Sequence, residues 1–156
     1  MTIILDATQI EHKIRRIAYQ IYEANIHQER FILAGIAENG YILAEKLYEQ
    51  LQQFCPIPIT LCKVFVKKTD PLAPVTTSLS EEAYRGESVV LVDDVLSSGA
   101  TLIYGVRHFL SVPLKQLKTA VLVNRNHKKY PIKADFKGIS LSTSLQEHIE
   151  VSFEGD

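Results

Sequence analysis

At 156 residues, 46% hydrophobic and with a formal net charge of −1, the chain is long enough for one compact domain with a core of its own and short for two. Its two cysteines, Cys55 and Cys62, have no CxxC spacing and no histidine companion, which argues against a disulfide framework or a zinc site and for a reducing, cytoplasmic setting. No apolar run approaches the ~20 residues of a membrane span, and Met1 to Asp6 is too short and lacks the basic start of a signal peptide, so a soluble, unsecreted protein is expected.

Thr8-Gln9-Ile10-Glu11 has the form of a capping box, and Ile10, Ile14, Ile17 and Ile21 follow at spacings of four, three and four. This predicts an amphipathic helix to about Asn25. Phe31 to Ile36 reads as a short buried strand, and Ala37-Glu38-Asn39-Gly40 turns into a helix whose apolar stripe uses Ile42, Leu43, Leu47 and Leu51. Ile57 to Val66 is the next predicted strand, with Pro58 at its start, where a missing N–H is tolerated. From Lys67 to Glu87 the chain is polar and carries Pro71, Pro74 and Gly86. A structureless connection of about twenty residues is unusual in a compact domain unless it is functional, and residues 67–87 are read as a flexible lid.

An apolar strand then begins at Ser88, a helix runs from about Gly99 to Leu110, and a strand from Leu117 to Val123. Residues 124–156 hold a basic loop, a short strand near Ile132 to Phe136 and a last strand near Ile149 to Phe153. The alternation of strands and helices, with no repeat or low-complexity linker, predicts one α/β domain over 1–156 with a parallel, right-handed sheet covered on both faces.

The strand from Ser88 carries the chemistry. Val89 to Leu102 reads Val-Val-Leu-Val-Asp-Asp-Val-Leu-Ser-Ser-Gly-Ala-Thr-Leu, an apolar run of the kind buried on both faces of a parallel sheet. Placing Asp93 and Asp94 at its carboxyl end is costly unless something uses them, and that end of the strands is where open parallel sheets bind ligands. Ser97, Ser98, Gly99, Ala100 and Thr101 then supply hydroxyls, backbone N–H groups and a helix N-terminus, a phosphate-binding combination. Together they ask for hydroxyls or a metal on one side and a phosphate monoester on the other, which ribose 5-phosphate satisfies. An ordinary serine N-cap accounts for Ser98 but not for the carboxylate pair.

This stretch resembles the 5-phosphoribosyl 1-pyrophosphate (PRPP) motif of the type I phosphoribosyltransferases. The resemblance extends to Ile4-Leu5-Asp6, Gly35-Ile36, Gly40 and Leu43-Ala44 near the start, and to Ala120-Val-Leu-Val-Asn-Arg-Asn-His127, Pro131-Ile-Lys-Ala-Asp135 and Gly138 near the end. These segments are most similar to the pyrimidine operon attenuator and uracil phosphoribosyltransferase family; the lid has no match. The fold so implied is a parallel central sheet with helices on both faces, a lid at 67–87 and a small hood at 124–156.

The same likeness implies the site. Asp93 and Asp94 would hold the ribose hydroxyls and Mg²⁺, directly or through water, with Arg125 as a further catalytic residue. Ser97, Ser98, Gly99, Ala100 and Thr101 would hold the 5-phosphate, and Ala37, Glu38, Asn39 and Gly40 the pyrophosphate. Lys67, Lys68 and Arg85 would act from the lid. The implied reaction transfers phosphoribose from PRPP to a nucleobase. Hypoxanthine-guanine enzymes carry a further Asp where this chain has Ser97, and a Val-Gly-Tyr-Gly-like segment where it has Ser140 to Leu145, which favours a pyrimidine such as uracil. Three positions depart from the attenuator family: Asn39 stands for a basic residue, Phe65 to Lys68 for a Tyr-Arg-Asp-Asp segment, and Asn124 for an acid. The family likeness also implies a homo-oligomer, a dimer or larger.

Arg107 to Lys137 holds eight Lys and Arg against one acid, Asp135, whereas Glu147, Glu150, Glu154 and Asp156 close the chain without a base. A basic third of this kind serves a polyphosphate substrate, RNA, or only a solvated face. Two alternatives therefore stand beside the enzyme: a nucleotide-sensing, RNA-binding regulator, and a homologue that binds PRPP or a nucleoside monophosphate without efficient turnover. The role of His127 stays open, and His12, His27, His108 and His148 are assigned none.

Overall fold

The computed structural model describes residues 3–70, 72–125, 127–142 and 148–153. Pro71 of the expected lid, and Asn126, 143–147 and 154–156 of the expected hood, lie outside them. Helix α1 (Ala7–Ala24) starts ahead of the predicted box. Asp6, not Thr8, is the cap: its carboxylate accepts the Gln9 N–H at 2.8 Å while Gln9 Oε1 accepts the Asp6 N–H at 2.9 Å. The acid satisfies an orphan donor and also places negative charge at the positive end of the helix, so nucleation moves toward it.

Strands β1 (Phe31–Ile36), β2 (Ile59–Phe65), β3 (Thr76–Thr77), β4 (Ser88–Leu96), β5 (Gln116–Arg125) and β6 (Phe136–Leu141) form a sheet in the order β3-β2-β1-β4-β5-β6. Every neighbouring pair is parallel except β3, which runs antiparallel to β2 through Val64↔Thr77 and Phe65↔Thr76. Helices α1 and α2 (Asn39–Leu51) cover one face; α3 (Glu81–Tyr84) and α4 (Ala100–Phe109) cover the other. Successive strand residues therefore divide between two cores. Phe31, Leu33, Val90 and Val92 meet α1 and α2, while Ile32, Ala34, Ile36, Val89 and Leu91 meet the α4 side. Burial on both faces is why these strands read as unbroken apolar runs, and each such side chain contributes roughly 1.5–3 kcal/mol relative to exposure.

The connection from β1 through α2 leads outward to β2, and that from β4 through α4 leads the other way to β5. Right-handed crossovers in opposite directions put their helices on opposite faces, and the carboxyl ends of β1 and β4 are left as the switch point where such sheets bind ligands. At the amino ends, buried Asn25 joins α1 to the sheet. Its Nδ2 donates to Ile21 O at 2.9 Å, and its Oδ1 accepts from Ser88 Oγ at 2.7 Å and Gln116 Nε2 at 3.3 Å.

Three further expectations are corrected. The 67–87 connection is not structureless: β3 pairs with the sheet edge, Tyr84 of α3 is buried, and Val75 and Leu79 pack on the same core. The short strand is β6, four residues later than predicted, because the Asp135 carboxylate accepts the Thr119 N–H at 2.9 Å and Lys133 O accepts from Thr119 Oγ1 at 2.7 Å. Those side-chain bonds accompany a single backbone bond, from the Asp135 N–H to Thr119 O at 3.0 Å, ahead of the ladder that begins at Ala120↔Phe136. The alternation Ile149, Val151, Phe153 is not a strand; these residues pack against the α1 and α2 core instead. Among the described residues, no helix is long and apolar enough to cross a membrane.

Candidate active site

Strand β4 carries Asp93 and Asp94 to the switch point. Asp93 is only 3% exposed and Asp94 is half-buried. Each carboxylate turns back on the chain: Asp93 Oδ1 accepts the Asp94 N–H at 2.9 Å, and Asp94 Oδ1 accepts the Val95 N–H at 2.8 Å. Burial holds the Asp93 carboxyl well above the usual carboxylate range; the Lys68 ammonium pulls it down and the Asp94 charge pushes it up. Lys68 Nζ lies 3.9 Å from Asp93 Oδ1, so one lysine of the 67–87 connection reaches the acid pair. Lys67 is exposed, and Arg85 pairs with Glu81 and Glu82 on α3.

The turn after β1 meets the same acid. Ala37 N–H donates to Val64 O at 2.8 Å, the Ala37–Glu38 peptide is cis, and α2 begins at Asn39 with no side chain capping it. The first N–H groups of a helix have no partners within it, so this turn offers donors to an anion. A Cβ on Gly40 would stand 2.8 Å from Val92 O and 3.0 Å from Asp93 Oδ1; only glycine lets the turn close on the acid. Glu38 is exposed, with Lys63 Nζ 3.6 Å away. Asn39 points its amide elsewhere, Nδ2 donating to Val151 O at 3.0 Å.

The loop after β4 forms a small cleft lined by Asp93 and by Ser97 through Leu102. Gly99 adopts φ +93°, and a Cβ there would meet Ile132 Cγ2 at 2.5 Å, so both backbone and space require glycine. Ser98 Oγ accepts the Ala100 N–H at 3.2 Å, part of a cap's role, while Ser98 O accepts N–H groups from Lys129 and Tyr130. Arg125, 7% exposed at the end of β5, donates from Nη1 to Ser97 Oγ at 3.1 Å. Ser97 to Thr101, Asp93, Asp94, Arg125 and Gly40 thus gather at one end of the sheet; Arg85 does not join them.

Two further polar groups lie there: Asn124, and His127, whose role the sequence leaves open. Asn124 Oδ1 and His127 Nε2 are buried without a hydrogen-bond partner, although Asn124 Nδ2 donates to Ser140 Oγ at 3.3 Å. In the sequence Asn124 stands out as a position where the attenuator family carries an acid. Among the described residues, no cluster of three or more His, Cys, Asp or Glu could hold a metal through protein ligands alone.

A parallel sheet carrying an acid pair beside a glycine-bearing phosphate loop at its switch point defines a type I phosphoribosyltransferase, and the phosphoribosyl transferase domain model matches residues 1–154: the chain belongs to that family. It is 35% identical to the Bifunctional protein PyrR of Geobacter sp. (strain M21), over 99% of this chain and 92% of that protein. It is 34% identical to the Bifunctional protein PyrR of Streptococcus thermophilus (strain CNRZ 1066), over 95% and 87%. Its fold is similar to a hypoxanthine-guanine phosphoribosyltransferase from Bacillus anthracis str. 'Ames Ancestor', with a TM-score of 0.77, 19% identity and coverage of 91% and 82%. The hypoxanthine phosphoribosyltransferase of Trypanosoma cruzi gives a TM-score of 0.77 at 19% identity, covering 90% and 82%. At such identity the likeness is one of fold and says nothing about the base.

Proposed function

We propose that this chain binds PRPP and transfers its phosphoribosyl group to a pyrimidine base such as uracil, in the cytoplasm and as a homo-oligomer. The observation that carries the reading is the closure of the Gly40 turn onto buried Asp93, which sets a leaving-group site against a ribose site. Asp93 and Asp94 would fix the ribose hydroxyls, the start of α4 the 5-phosphate, and the start of α2 the pyrophosphate. The bond from C1 to the pyrophosphate oxygen breaks, the pair leaving on pyrophosphate, as a ring nitrogen bonds to C1 and gives up its proton. Positioning and a dry, preorganised site supply most of such a rate. A buried and a half-buried carboxylate fit Mg²⁺, which keeps several waters and binds through one or two carboxylates plus substrate phosphates; bound there, it would neutralise charge on the leaving pyrophosphate. Both cysteines are free thiols, as suits a reducing compartment.

The test supplies PRPP and Mg²⁺ with uracil, hypoxanthine or guanine in turn. Pyrophosphate release with uracil is expected; release with a purine alone would move the substrate, and silence with all three would sink the enzymatic reading. A second reading, an RNA-binding nucleotide sensor, is supported by the exposed Arg107, Lys115, Lys128, Lys129, Lys133 and Lys137 and by the word bifunctional in the relatives' name. RNA affinity should then fall steeply with salt and with Lys128→Ala plus Lys129→Ala; affinity indifferent to both would remove it.

A further inference from the structure

We infer that Asn39 is a positioning residue, not a pyrophosphate ligand: its side chain clamps the C-terminal segment 148–153 to the first turn of α2 and thereby sets the geometry of the pyrophosphate turn. The inference rests on the functional reading above. Asn39 Nδ2 donates to Val151 O at 3.0 Å, committing the amide to a carbonyl 112 residues away. Val151 is itself fixed, 8% exposed within the α1 and α2 core, with Ile149 and Phe153 packed against that core. Lys46 Nζ lies 5.7 Å from the centroid of the Phe153 ring, within cation–π range. Asn39 and Lys46 are seven residues apart, which places them on one face of α2. The segment is therefore held along that face at two points, one at the start of the helix and one two turns on.

The opposite side of the same turn is equally constrained. Gly40 abuts Val92 O and the Asp93 carboxylate, so the first turn of α2 sits between the segment and the acid of β4. The Tyr41 and Ile42 N–H groups donate to Glu38 O, so the N–H groups of Asn39 and Gly40 at the start of the helix are the donors offered to the leaving pyrophosphate. Loosening the Val151 tie frees one wall of this arrangement and leaves the other standing. The consequence is long-range coupling: pyrophosphate affinity depends on Phe153, a residue that touches α2 away from the turn, whereas a nucleoside monophosphate, held by the loop after β4 and the acid pair, is indifferent to it.

The experiment uses the full chain with inorganic pyrophosphate and Mg²⁺ as probe, calorimetric affinities, and amide exchange of 148–153. Asn39→Ala is expected to raise exchange across 148–153 and weaken pyrophosphate about five-fold, the scale of one lost hydrogen bond. Phe153→Ala should weaken pyrophosphate in the same direction, the double variant should fall short of the product of the two effects, and affinity for uridine 5′-monophosphate should stay within about two-fold. If Asn39→Ala does not fold, Asn39→Leu, of similar size, uncharged and with no proton to donate, repeats both readouts. Weakened pyrophosphate binding in the Asn39 variant with unchanged exchange, and no effect of Phe153→Ala, would make Asn39 a direct ligand and overturn the coupling while leaving the functional reading intact. A wild-type chain that binds no pyrophosphate would overturn both, whatever the exchange shows.

Discussion

At the amino ends of β4 and β5, Asn25 is fully buried, yet its donor and acceptor groups are met by Ile21, Ser88 and Gln116. At the carboxyl ends, the buried Asp93 has one backbone N–H and a lysine at 3.9 Å, and Asn124 Oδ1 and His127 Nε2 have no partner at all. One end of the sheet satisfies itself, as a buried polar network must if it is to stabilise a fold. The other leaves acceptors and a carboxylate whose charged form is disfavoured, a cost that only a ligand can offset. The contrast separates the two ends of the sheet rather than marking a site by itself, since Gln20 Oε1 on α1 is also buried without a partner; at the carboxyl ends the unmet groups coincide with the acid pair and the phosphate loop.

Substitutions at the two ends should behave as opposites. The largest effect is on binding, where Asp93→Asn with Asp94→Asn should lose PRPP affinity by at least ~100-fold in calorimetry, the scale of two charge-assisted contacts removed; retained affinity would break the contrast. Next, Asn25→Ala should lower stability in urea by about 2–4 kcal/mol, since Ser88 and Gln116 lose a buried acceptor, and should leave PRPP affinity unchanged. Gly99→Ala should cost about 1–2 kcal/mol for an alanine forced to positive φ, more if Ile132 cannot move, and weaken phosphate binding as well. The smallest effect is on pH. For an acid held above its ordinary value, the folded chain binds protons more tightly than the unfolded one, so stability falls as pH rises from about 3.9 through the raised range. Melts in a metal chelator should show this fall, set by the burial of Asp93 with Lys68 opposing and Asp94 reinforcing it, and Asp93→Asn should flatten it.

Much of this was legible from local pattern. Ile14, Ile17 and Ile21 mark the face α1 buries, the apolar run of β1 marks a central strand, and two acids at the end of β4 stand out because burial makes them expensive. What local pattern could not show is which distant group a polar side chain finds. Asn39 falls where a phosphate ligand is expected, and nothing near it in sequence reveals that its amide donates to the Val151 carbonyl. Ile149, Val151 and Phe153 alternate as a strand would, yet bury against helices, because alternation reports one apolar side and not what covers it. The late start of β6 depends on Thr119 bonding to residues 133 and 135, a tertiary competition invisible to periodicity. Lys68 was placed on a lid by its surroundings, but its reach to Asp93 required the fold.

If the carboxyl end gives up stability for a ligand, removing the Asp93 charge must improve the empty protein and blind it at once. The direct measurement is the melting temperature of Asp93→Asn beside the wild-type chain, first in a chelator and then with Mg²⁺ and PRPP. The variant should melt higher when empty, by ~2–4 °C for each kcal/mol recovered, and gain nothing from Mg²⁺ and PRPP, while the wild-type chain gains with ligand concentration. A variant that melts lower when empty, or that PRPP stabilises as well as it does the wild-type chain, would show that Asp93 is a structural acid and that the ligand site lies elsewhere.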